Sequence, residues 1–468
     1  MKNRIILALL GVSLMASNCL AAMSASIVWE WRDSATANMV NGGGFKTGAS
    51  GTDYSLQNAA QWTASDGTST ASTTFISLTS TFTSAIVGNV LHITAGTGAT
   101  VGWYEVTGYT DANTITLDRV SGTYTAATFY VGGALNVGGS LEDSFFEQLI
   151  AGQIVYFKTG SFTTSQAINT AVDGTYALLI KLEGYQTTRG DNPTGANRPD
   201  LILGANGLTL DDYWVLKNLD ITGTSSTVVR QDVNGIVHNC KITNTSGTAN
   251  RVAHAHGGNF WYSKSEFSST SGYGIDTAAS STIMVYGCYI HDSTVGVRYG
   301  NDNAFFALNI FDTCTTGLSS SGVSPRAVII NNTFYSSTVT GTKAISLTSA
   351  TSGVLSLQLF NNIITGFGTG YDGPSQGTNY NSDYNNWSGN TNDIDGTDMV
   401  KGSNETALDP GFTDAANADF RVGANMKATA FPGTFPGAGA SCIGYLDQGA
   451  VQRVEPAGGT TNDVFGIM

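Results

Sequence analysis

The sequence predicts an all-β fold in which most of the chain forms a coil, or solenoid, of stacked parallel strands. One short pattern recurs from Tyr213 to about Gly373, and its copies follow one another at intervals of 21, 25, 23, 21, 23 and 30 residues. A period in the low twenties, built from β-forming residues and Ser/Thr/Gly turns without a helical stripe, is typical of a solenoid. The copies read VLKNLDITG, IVHNCKITN, WYSKSEFSS, MVYGCYIHD, FFALNIFDT, VIINNTFYS and LQLFNNIITG.

A small corner divides each copy, and the residues around it fall into columns. The corner column contains Asn218, Asn239, Lys264, Gly287, Leu308, Asn331 and Asn361. The next residue in each copy gives a column that ends in an asparagine ladder, namely Leu219, Cys240, Ser265, Cys288, Asn309, Asn332 and Asn362. Three residues after the corner every copy is apolar: Ile221, Ile242, Phe267, Ile290, Phe311, Phe334 and Ile364. Because strand side chains alternate between two faces, both of these columns should point inward, and residues between them such as Asp220 should face solvent.

The composition fits a secreted all-β protein and argues against several kinds of partner. The chain has 468 residues with 57 glycines, only 12% of residues are charged, and the formal net charge is -14. No basic run is present, so we expect neither nucleic acid nor an anionic membrane surface as a partner. After the leader, no apolar stretch is long enough to span a bilayer, so membrane insertion is not expected.

Residues 1–22 are predicted to be a secretory signal peptide, which would place the protein outside the cell or on its surface. Lys2 and Arg4 precede an apolar run that ends in small residues at Ala21 and Ala22. Cys19 raises the alternative of lipidation, although Asn18 before it is a poor match to a lipoprotein signal. A second alternative is that the leader is not genuine, in which case a virion surface is another location.

The chain before the coil has a different pattern and is predicted to form a separate β module over residues 24–138. Hairpin turns are expected at Gly96–Gly98 and Asp111–Asn113, and the glycine-rich Val131–Gly139 is interpreted as a linker. Leu141–Ala151 is the one good helix candidate and should cap the first turn of the coil, because a solenoid must shield its end. The coil is expected over residues 139–455, with irregular C-terminal turns after Gly373 and a tail at 456–468.

Several segments together resemble secreted right-handed parallel β-helix proteins of the pectate-lyase-like superfamily. These segments are IAGQIVYFKTGSF, the repeated N-x-x-I/F corners, SDYNNW and the ending DPGFTDAANADFRV…DQGAVQ. The leading VWEWRDSATANMVNGGGFKTGASGTDYS resembles β-helix proteins of tailed phages and environmental bacteria. The resemblance implies a right-handed parallel β-helix, but it leaves the function open, because the superfamily includes lyases, hydrolases, tailspikes, adhesins and structural rods.

The second strand of each repeat contains the candidate site. When Val229, Ala253, Ile275 and Val297 are aligned as an inward column, the residues beside them form one outward file of Arg230, His254, Asp276 and Arg298. Asp232 and His256 share a second file, and Tyr299 and the aromatic Trp261 are further candidates for contact with sugar. Arginines in such a file could hold the carboxylates of an acidic polysaccharide. If the protein is an enzyme, His254, Asp276 and Arg298 would carry the chemistry, with His254 as the base.

Three functions fit these residues. The first is a secreted or surface-displayed protein that engages extracellular polysaccharide by binding, adhesion or a tailspike-like role. The second is a polysaccharide lyase or glycoside hydrolase that acts on an acidic glycan, so enzymatic activity is left undecided. The third is a non-catalytic rod or filament subunit, in which the file is only an exposed ladder of alternating charge; a homo-oligomer is compatible with each function.

No cofactor is expected, and the evidence for a metal is weak. The run Thr391–Asp398 offers Asp393, Asp395 and Asp398 as calcium ligands but does not fit the EF-hand template, so a solvated Asp/Gly loop is the preferred interpretation. Cys240 and Cys288 share a column two turns apart, about 9–10 Å at the usual strand spacing, which is too far for a disulfide. No cysteine pair has the spacing of a zinc site.

Overall fold

The structure is a computed structural model that describes residues 23–35, 39–137, 141–248, 250–277, 281–300, 303–322, 326–347, 356–374, 379–396, 399–426 and 448–451. The predicted signal peptide with Cys19, the tail at 456–468 and the calcium candidate Asp398 lie outside these residues. Within them, no helix combines the length and the apolar character that crossing a membrane requires. The chain is almost entirely β, as the sequence predicts.

Three long sheets form the coil, and each turn contributes one strand to each sheet. Sheet 1 contains Gly44–Lys46, Ile27–Trp31, Ile154–Lys158, Ile180–Tyr185, Trp214–Lys217, Gly235–His238, Gly258–Ser263, Ser281–Tyr286, Asn303–Ala307, Arg326–Ile330, Ser356–Phe360 and Asn379–Asp383. Sheet 2 contains Ser161–Thr163, Asp200–Gly204, Asp220–Gly223, Lys241–Asn244, Glu266–Ser269, Tyr289–His291, Ile310–Asp312, Thr333–Tyr335, Ile363–Thr365 and Asn386–Ser388. Sheet 3 contains Ile168–Asn169, Leu208–Leu210, Thr227–Gln231, Arg251–Ala255, Tyr273–Thr277, Val295–Tyr299, Thr316–Ser320, Lys343–Ser346, Thr369–Asp372 and Asn392–Asp395.

The corner column predicted from the sequence is the bend between sheets 1 and 2. Every residue in it has a positive φ, from 48° at Lys264 to 61° at Gly287, and asparagine tolerates this left-handed conformation better than most residues. The apolar column that follows is fully buried from Ile221 to Ile364, and the rings of Phe311 and Phe334 stack with centroids 4.5 Å apart. The predicted register of the coil is therefore confirmed.

The predicted asparagine ladder is also present and satisfies buried backbone groups at the corner. Each side-chain oxygen accepts the backbone N–H of the preceding rung: Asn309 N–H donates to Asn332 Oδ1 at 2.9 Å, and Asn332 N–H donates to Asn362 Oδ1 at 2.9 Å. The ladder continues to Asn385, whose own N–H donates to Glu405 Oε2 at 2.6 Å. Glu405 therefore ends the ladder, because its carboxylate oxygen takes the place of the amide oxygen of a further asparagine.

The coil continues one turn further than the sequence pattern suggests. The expectation that regular turns decay after Gly373 is wrong for residues 379–395, which add one strand to each sheet. In this turn Tyr384 occupies the corner with φ 58°, and Trp387 replaces the Ile or Phe of the inward column. The substitution of Tyr for Asn and Trp for Ile hid the repeat.

The described residues of the C-terminal segment, 409–426 and 448–451, do not add further strands to the three sheets. Instead, the chain runs back over the outside of sheet 2, where Phe420 packs with Ile310, and Val422 and Met426 pack with Ile363. Gly449 N–H donates to Asn361 O at 2.7 Å, which fixes the last described segment near the corner. The outward apolar side chains of sheet 2 are thus covered by the protein itself.

An antiparallel β module precedes the coil, as predicted. Six strands close into a small barrel: Trp62–Thr70, Thr74–Ile76, Val90–Ala95, Gly102–Asp111, Thr114–Leu117 and Thr123–Val131. Both expected hairpins are formed. The boundary at residue 138 stays a prediction, but Ile27–Trp31, on the module side of it, pairs in parallel with Ile154–Lys158 and so extends sheet 1.

The module is held firmly against the coil. Gly132–Leu135, at the start of the interpreted linker, are buried and hydrogen-bonded rather than loose. Arg189, in a loop of the coil, donates to Glu30 Oε2 at 2.8 Å, to Asp53 Oδ2 at 3.0 Å and to Ser55 Oγ at 2.9 Å. One guanidinium therefore connects the coil to two segments of the N-terminal region.

The predicted capping helix spans Leu141–Glu147, shorter than the expected Leu141–Ala151. Phe145 and Phe146 lie over the first turn, with the Phe145 ring edge-on to Trp29 at 5.1 Å between centroids. The Asp143 carboxylate accepts the N–H of Asn169 at 2.8 Å, at the free edge of sheet 3. The helix thus shields both the apolar core and unpaired backbone groups at this end.

Candidate functional site

The outward face of sheet 3 contains the predicted file in register. Parallel pairing aligns Arg230 with His254, His254 with Asp276, and Asp276 with Arg298. A second outward file runs beside it and aligns Arg251 with Tyr273. Since neighbouring strands lie about 4.8 Å apart, the four rungs from Arg230 to Arg298 span roughly 14 Å along the coil.

Asp276 lies at the centre of this surface and holds two arginines. Arg298 donates from Nε to Asp276 Oδ1 at 2.6 Å and from Nη2 to Oδ2 at 2.9 Å, while Arg251 Nε donates to Oδ2 from the other side. The Asp276 side chain is only 2% exposed, whereas those of Arg251 and Arg298 are 38% and 30% exposed. Two guanidinium groups and one carboxylate leave one net positive charge at the surface.

Tyr273 gives the Arg298 side chain a second support. The guanidinium carbon lies 4.2 Å from the centre of the Tyr273 ring, and Arg298 Nη1 lies 3.1 Å from the Tyr273 hydroxyl. Such stacking fixes the plane of the guanidinium group. By contrast, no described residue accepts a hydrogen bond from either Nη nitrogen of Arg251, so both can serve a ligand.

His254 lies between Arg230 and Asp276 and is electrically neutral at physiological pH. Burial, with Arg251 as the second cause, lowers the pKa of His254 to about 4. Among the described residues none forms a hydrogen bond with its ring, which stands 5.8 Å from the ring of His256. A neutral imidazole can accept a hydrogen bond or a proton, but a pKa this low makes it a weak base.

Arg230 and His256 share a carboxylate at the edge of the same surface. Arg230 Nε donates to Asp232 Oδ1 at 2.6 Å, and His256 Nδ1 lies 3.7 Å from the same oxygen. The His256 side chain is 56% exposed, so it is open to a ligand. The structure therefore brings Arg230, His256 and the predicted catalytic group of His254, Asp276 and Arg298 onto one face.

The other aromatic candidates do not belong to this face. The expectation for Tyr299 is wrong: it is 1% exposed and packs against Phe306 inside the coil, because it occupies an inward position of its strand. Trp214 and Trp387, two further tryptophans of the coil, are buried. Trp261 is exposed but lies on the outward side of sheet 1 rather than on sheet 3.

Arg251 and Tyr273 are the residues that sequence reasoning missed. They lie three residues before His254 and Asp276, where strict alternation would place them inward. In the strand Arg251–Ala255, however, Val252 and Ala253 are consecutive buried residues, and Arg251 lies partly exposed beside them. The available signal in the sequence was the basic or aromatic residue, Arg251 or Tyr273, that stands three positions before His254 and Asp276. Further along the same face, Lys343 forms an ion pair with Asp372, whose carboxylate also accepts from Ser346 Oγ at 3.2 Å.

A second polar cluster lies on the outward side of sheet 2. It contains His291 and Asp292, and Asp292 adopts a left-handed turn conformation with φ 54°. In addition, His291 Nε2 lies 3.2 Å from Glu266 Oε1, which also accepts from Lys241 at 2.9 Å. Burial opposes ionisation of Glu266, but His291 and Lys241 outweigh it and lower its pKa to about 2. The charged groups of this cluster pair with one another, so few of them are available to a ligand. The nearby Asp302 lies outside the described residues.

The weak calcium candidates are not brought together. Asp393 forms an ion pair with Lys401 at 2.5 Å, and Asp395 is an exposed residue at the last turn. Among the described residues, the carboxylates that lie close enough to share a cation are those of Asp173, Asp211 and Asp212, within 4.8 Å of one another. Exposed acidic groups of this kind are common without a metal, and burial and mutual repulsion raise the pKa of both Asp211 and Asp212.

Comparison with known proteins agrees with the fold. Residues 215–396 match the family described as right handed beta helix region. Solved structures that resemble the chain include pectate lyase Pel9A, at 12% identity and TM-score 0.45 over 69% of this chain and 92% of that chain. Another is the PL6 family alginate lyase AlyGC, at 10% identity and TM-score 0.25 over 63% of this chain and 58% of that chain. No curated protein matches the sequence.

The class of protein follows from the family match together with the three parallel sheets. The chain is a right-handed parallel β-helix protein, which confirms the fold expected from its resemblance to the pectate-lyase-like superfamily. This statement concerns the fold, because one β-helix can carry many unrelated functions.

Proposed function

We propose that this protein binds an acidic polysaccharide along the outward face of sheet 3, outside the cell or on its surface. The observation that carries the proposal is the Arg251–Asp276–Arg298 arrangement, in which one buried carboxylate orients two half-exposed guanidinium groups. Arginine binds carboxylate and sulfate groups through paired N–H donors, and pre-orientation reduces the entropy lost on binding.

The spacing of charge along the face suits a polymer rather than a single small anion. Arg230, Arg251 and Arg298 belong to three turns of the coil, so their charged groups follow its axis. Tyr273 adds a ring beside them, and His254 and His256 add polar groups that can bond to hydroxyls. The surface formed by Arg230, Arg251 and Arg298 is called the cationic strip below. Because the protein as a whole has a net charge of -14, this strip is a local exception and would attract a polyanion.

Catalysis is the second candidate function, and His254 is the residue that favours it. Its ring is neutral, lacks a hydrogen-bond partner among the described residues and lies beside groups that could bind a uronic acid carboxylate. In a lyase reaction the base would take the proton α to that carboxylate, and the glycosidic C–O bond would break as a carbon–carbon double bond forms. The low pKa of His254 makes it a weak base, so binding is the function that the geometry supports best.

Affinity electrophoresis in gels that contain polygalacturonate, alginate or neutral dextran tests the proposal. Arg251→Ala should weaken retardation by both uronate polymers about tenfold or more, because it removes the guanidinium whose two Nη groups are available. Arg326→Ala is the matched control, since Arg326 is an exposed arginine on sheet 1. Equal loss in both variants would mean that only net charge matters, and no retardation of the wild type would refute the proposal.

The same preparations distinguish binding from catalysis. A lyase releases unsaturated uronates whose ultraviolet absorbance rises with time, and His254→Gln should abolish that rise while leaving retardation largely intact. Retardation without any rise in absorbance or in reducing ends identifies a binding protein.

A further inference from the structure

The outward side of sheet 1 is apolar along the middle of the coil. One outward column contains Val215, Ile236, Trp261, Met284, Phe305 and Val328, and the neighbouring column contains Tyr286, Ala307, Ile330 and Phe360. Trp261 is 49% exposed and Met284 is 38% exposed, whereas Val215 and Ala307 are buried and the other members are partly exposed. From Trp261 to Phe360 neither column contains a charged residue. This set of residues is called the sheet 1 stripe below.

Sheet 2 shows how this protein treats outward apolar residues elsewhere. Ile310 and Ile363 also point outward there, but Phe420, Val422 and Met426 cover them, and they are at most 4% exposed. No described residue covers the sheet 1 stripe in the same way. Contiguous exposed apolar surface of this kind marks a site of association.

We propose that the sheet 1 stripe is an interface at which two copies of this protein associate as antiparallel rods. A sugar polymer is a poorer occupant, because the stripe offers few hydrogen-bonding groups: Ser263, in the same column as Tyr286, is buried and already bonded to His238. A second copy presents the same columns at the same spacing of about 4.8 Å, so that apolar side chains of the two copies can interdigitate.

Charge at the two ends of sheet 1 selects the antiparallel arrangement. Lys181 lies outward near the N-terminal end, beside Lys217, whose charge is balanced by Glu183 at 2.9 Å. Asp383 lies outward at the C-terminal end, and the exposed Arg326 lies in a polar column beside the stripe. A two-fold axis through the middle of the stripe places the lysine end of one copy opposite the aspartate end of the other. A parallel arrangement would place like charges together.

The size of the face is sufficient for a dimer. From Ile154–Lys158 to Asn379–Asp383 sheet 1 has ten strands of four to six residues. At about 4.8 Å between strands and about 3.3 Å per residue, these cover roughly 700 Å². Interfaces of standard size bury about 600–1,000 Å² per partner, a range that includes this area. They have an apolar centre and a polar rim, and the face has this layout.

Sedimentation velocity of the full chain from low to high micromolar concentration tests the proposal. The wild type should shift from monomer to dimer, and Met284→Asp should raise the dissociation constant roughly a hundredfold or more, because it places a charge at the centre of the interface. Trp261→Lys is a second variant with the same expectation. Leu78→Asp is the matched control, since Leu78 is an 81% exposed leucine that belongs to no strand of sheet 1. All variants should keep the thermal unfolding profile of the monomer.

A second measurement keeps the test decisive if a variant misfolds. Quenching of Trp261 fluorescence by iodide is obtained as the difference between wild type and Trp261→Phe. Protection from iodide that is lost on dilution supports the dimer. A monomer at every concentration overturns the proposal. If that monomer still protects Trp261, the occupant is another part of the same chain; if Trp261 is open and its loss abolishes glycan retardation, the occupant is sugar.

Discussion

Arg298 donates two parallel hydrogen bonds to Asp276 on the neighbouring turn of the coil, from Nε to Oδ1 at 2.6 Å and from Nη2 to Oδ2 at 2.9 Å. This fork-to-carboxylate geometry fixes both the position and the plane of the guanidinium group. Because Arg251 donates to the same carboxylate, Asp276 is a positioning residue for two cations rather than a group that touches a ligand. The arrangement makes the charge of the surface depend on a residue that is itself buried.

The first prediction separates positioning from net charge. Asp276→Asn removes a negative charge from the cationic strip, so a purely electrostatic account expects tighter binding of polygalacturonate. We expect weaker binding, by roughly tenfold, because Arg251 and Arg298 lose the carboxylate that orients them. Titration calorimetry at two ionic strengths measures this difference, and tighter binding by the variant would contradict the positioning role.

The same substitution should lower the free energy of unfolding by about 1–3 kcal/mol, since two charge-assisted hydrogen-bonding partners lose their acceptor. Urea unfolding followed by circular dichroism gives this value. Asp395→Asn, at an exposed position of the same file two turns beyond Ser346, is the control and should change stability little.

The second prediction concerns pH and uses His254. Its pKa of about 4 means that it gains a positive charge only as the pH falls from about 6 towards 4. Affinity for a sulfated glycan, whose own charge does not change in this range, should therefore rise as the pH falls, and a bound anion should strengthen the effect. Binding measured at several pH values should lose most of this dependence in His254→Gln. If His254→Gln keeps the full pH dependence, the role assigned to His254 is contradicted.

The repeat could be predicted from the sequence because each turn of a coil solves the same packing problem. The corner demands a left-handed residue, the next position points inward, and the third must fill the core, so Asn239, Cys240 and Ile242 recur as types in other turns. The file on sheet 3 followed from the same alternation. Where the side chains deviated, as with Tyr384 and Trp387, the sequence pattern failed although the backbone repeated.

Contacts between turns could not be predicted in the same way. The sequence shows that Arg251 and Arg298 lie 47 residues apart but not that both reach one carboxylate. It also does not show that the described C-terminal residues pack over sheet 2 rather than over sheet 1. Tyr299 was misplaced for a different reason: the alternation that puts Val297 inward and Arg298 outward also puts Tyr299 inward, and this was not applied to the last residue of the strand.

The third prediction follows from Asp220, which the sequence treats as a simple solvent-facing residue. Burial, with Asp200 on the preceding turn as the second cause, raises the pKa of Asp220 to about 6, above its ordinary value of 3.8. An acid whose pKa is higher in the folded state binds its proton more tightly there, so folding loses stability as the pH rises through this range. Asp220→Asn should therefore be more stable than the wild type at pH 8, by roughly 1–2 kcal/mol after allowing for solvent screening.

The advantage should vanish near pH 4, where the wild-type carboxyl is protonated in the folded state. Urea unfolding at both pH values measures the difference, and Asp200→Asn should give a smaller gain of the same sign. An Asp220→Asn variant that is less stable at pH 8 would show that the charge of Asp220 is stabilised by Lys241, the residue paired with it on the next turn.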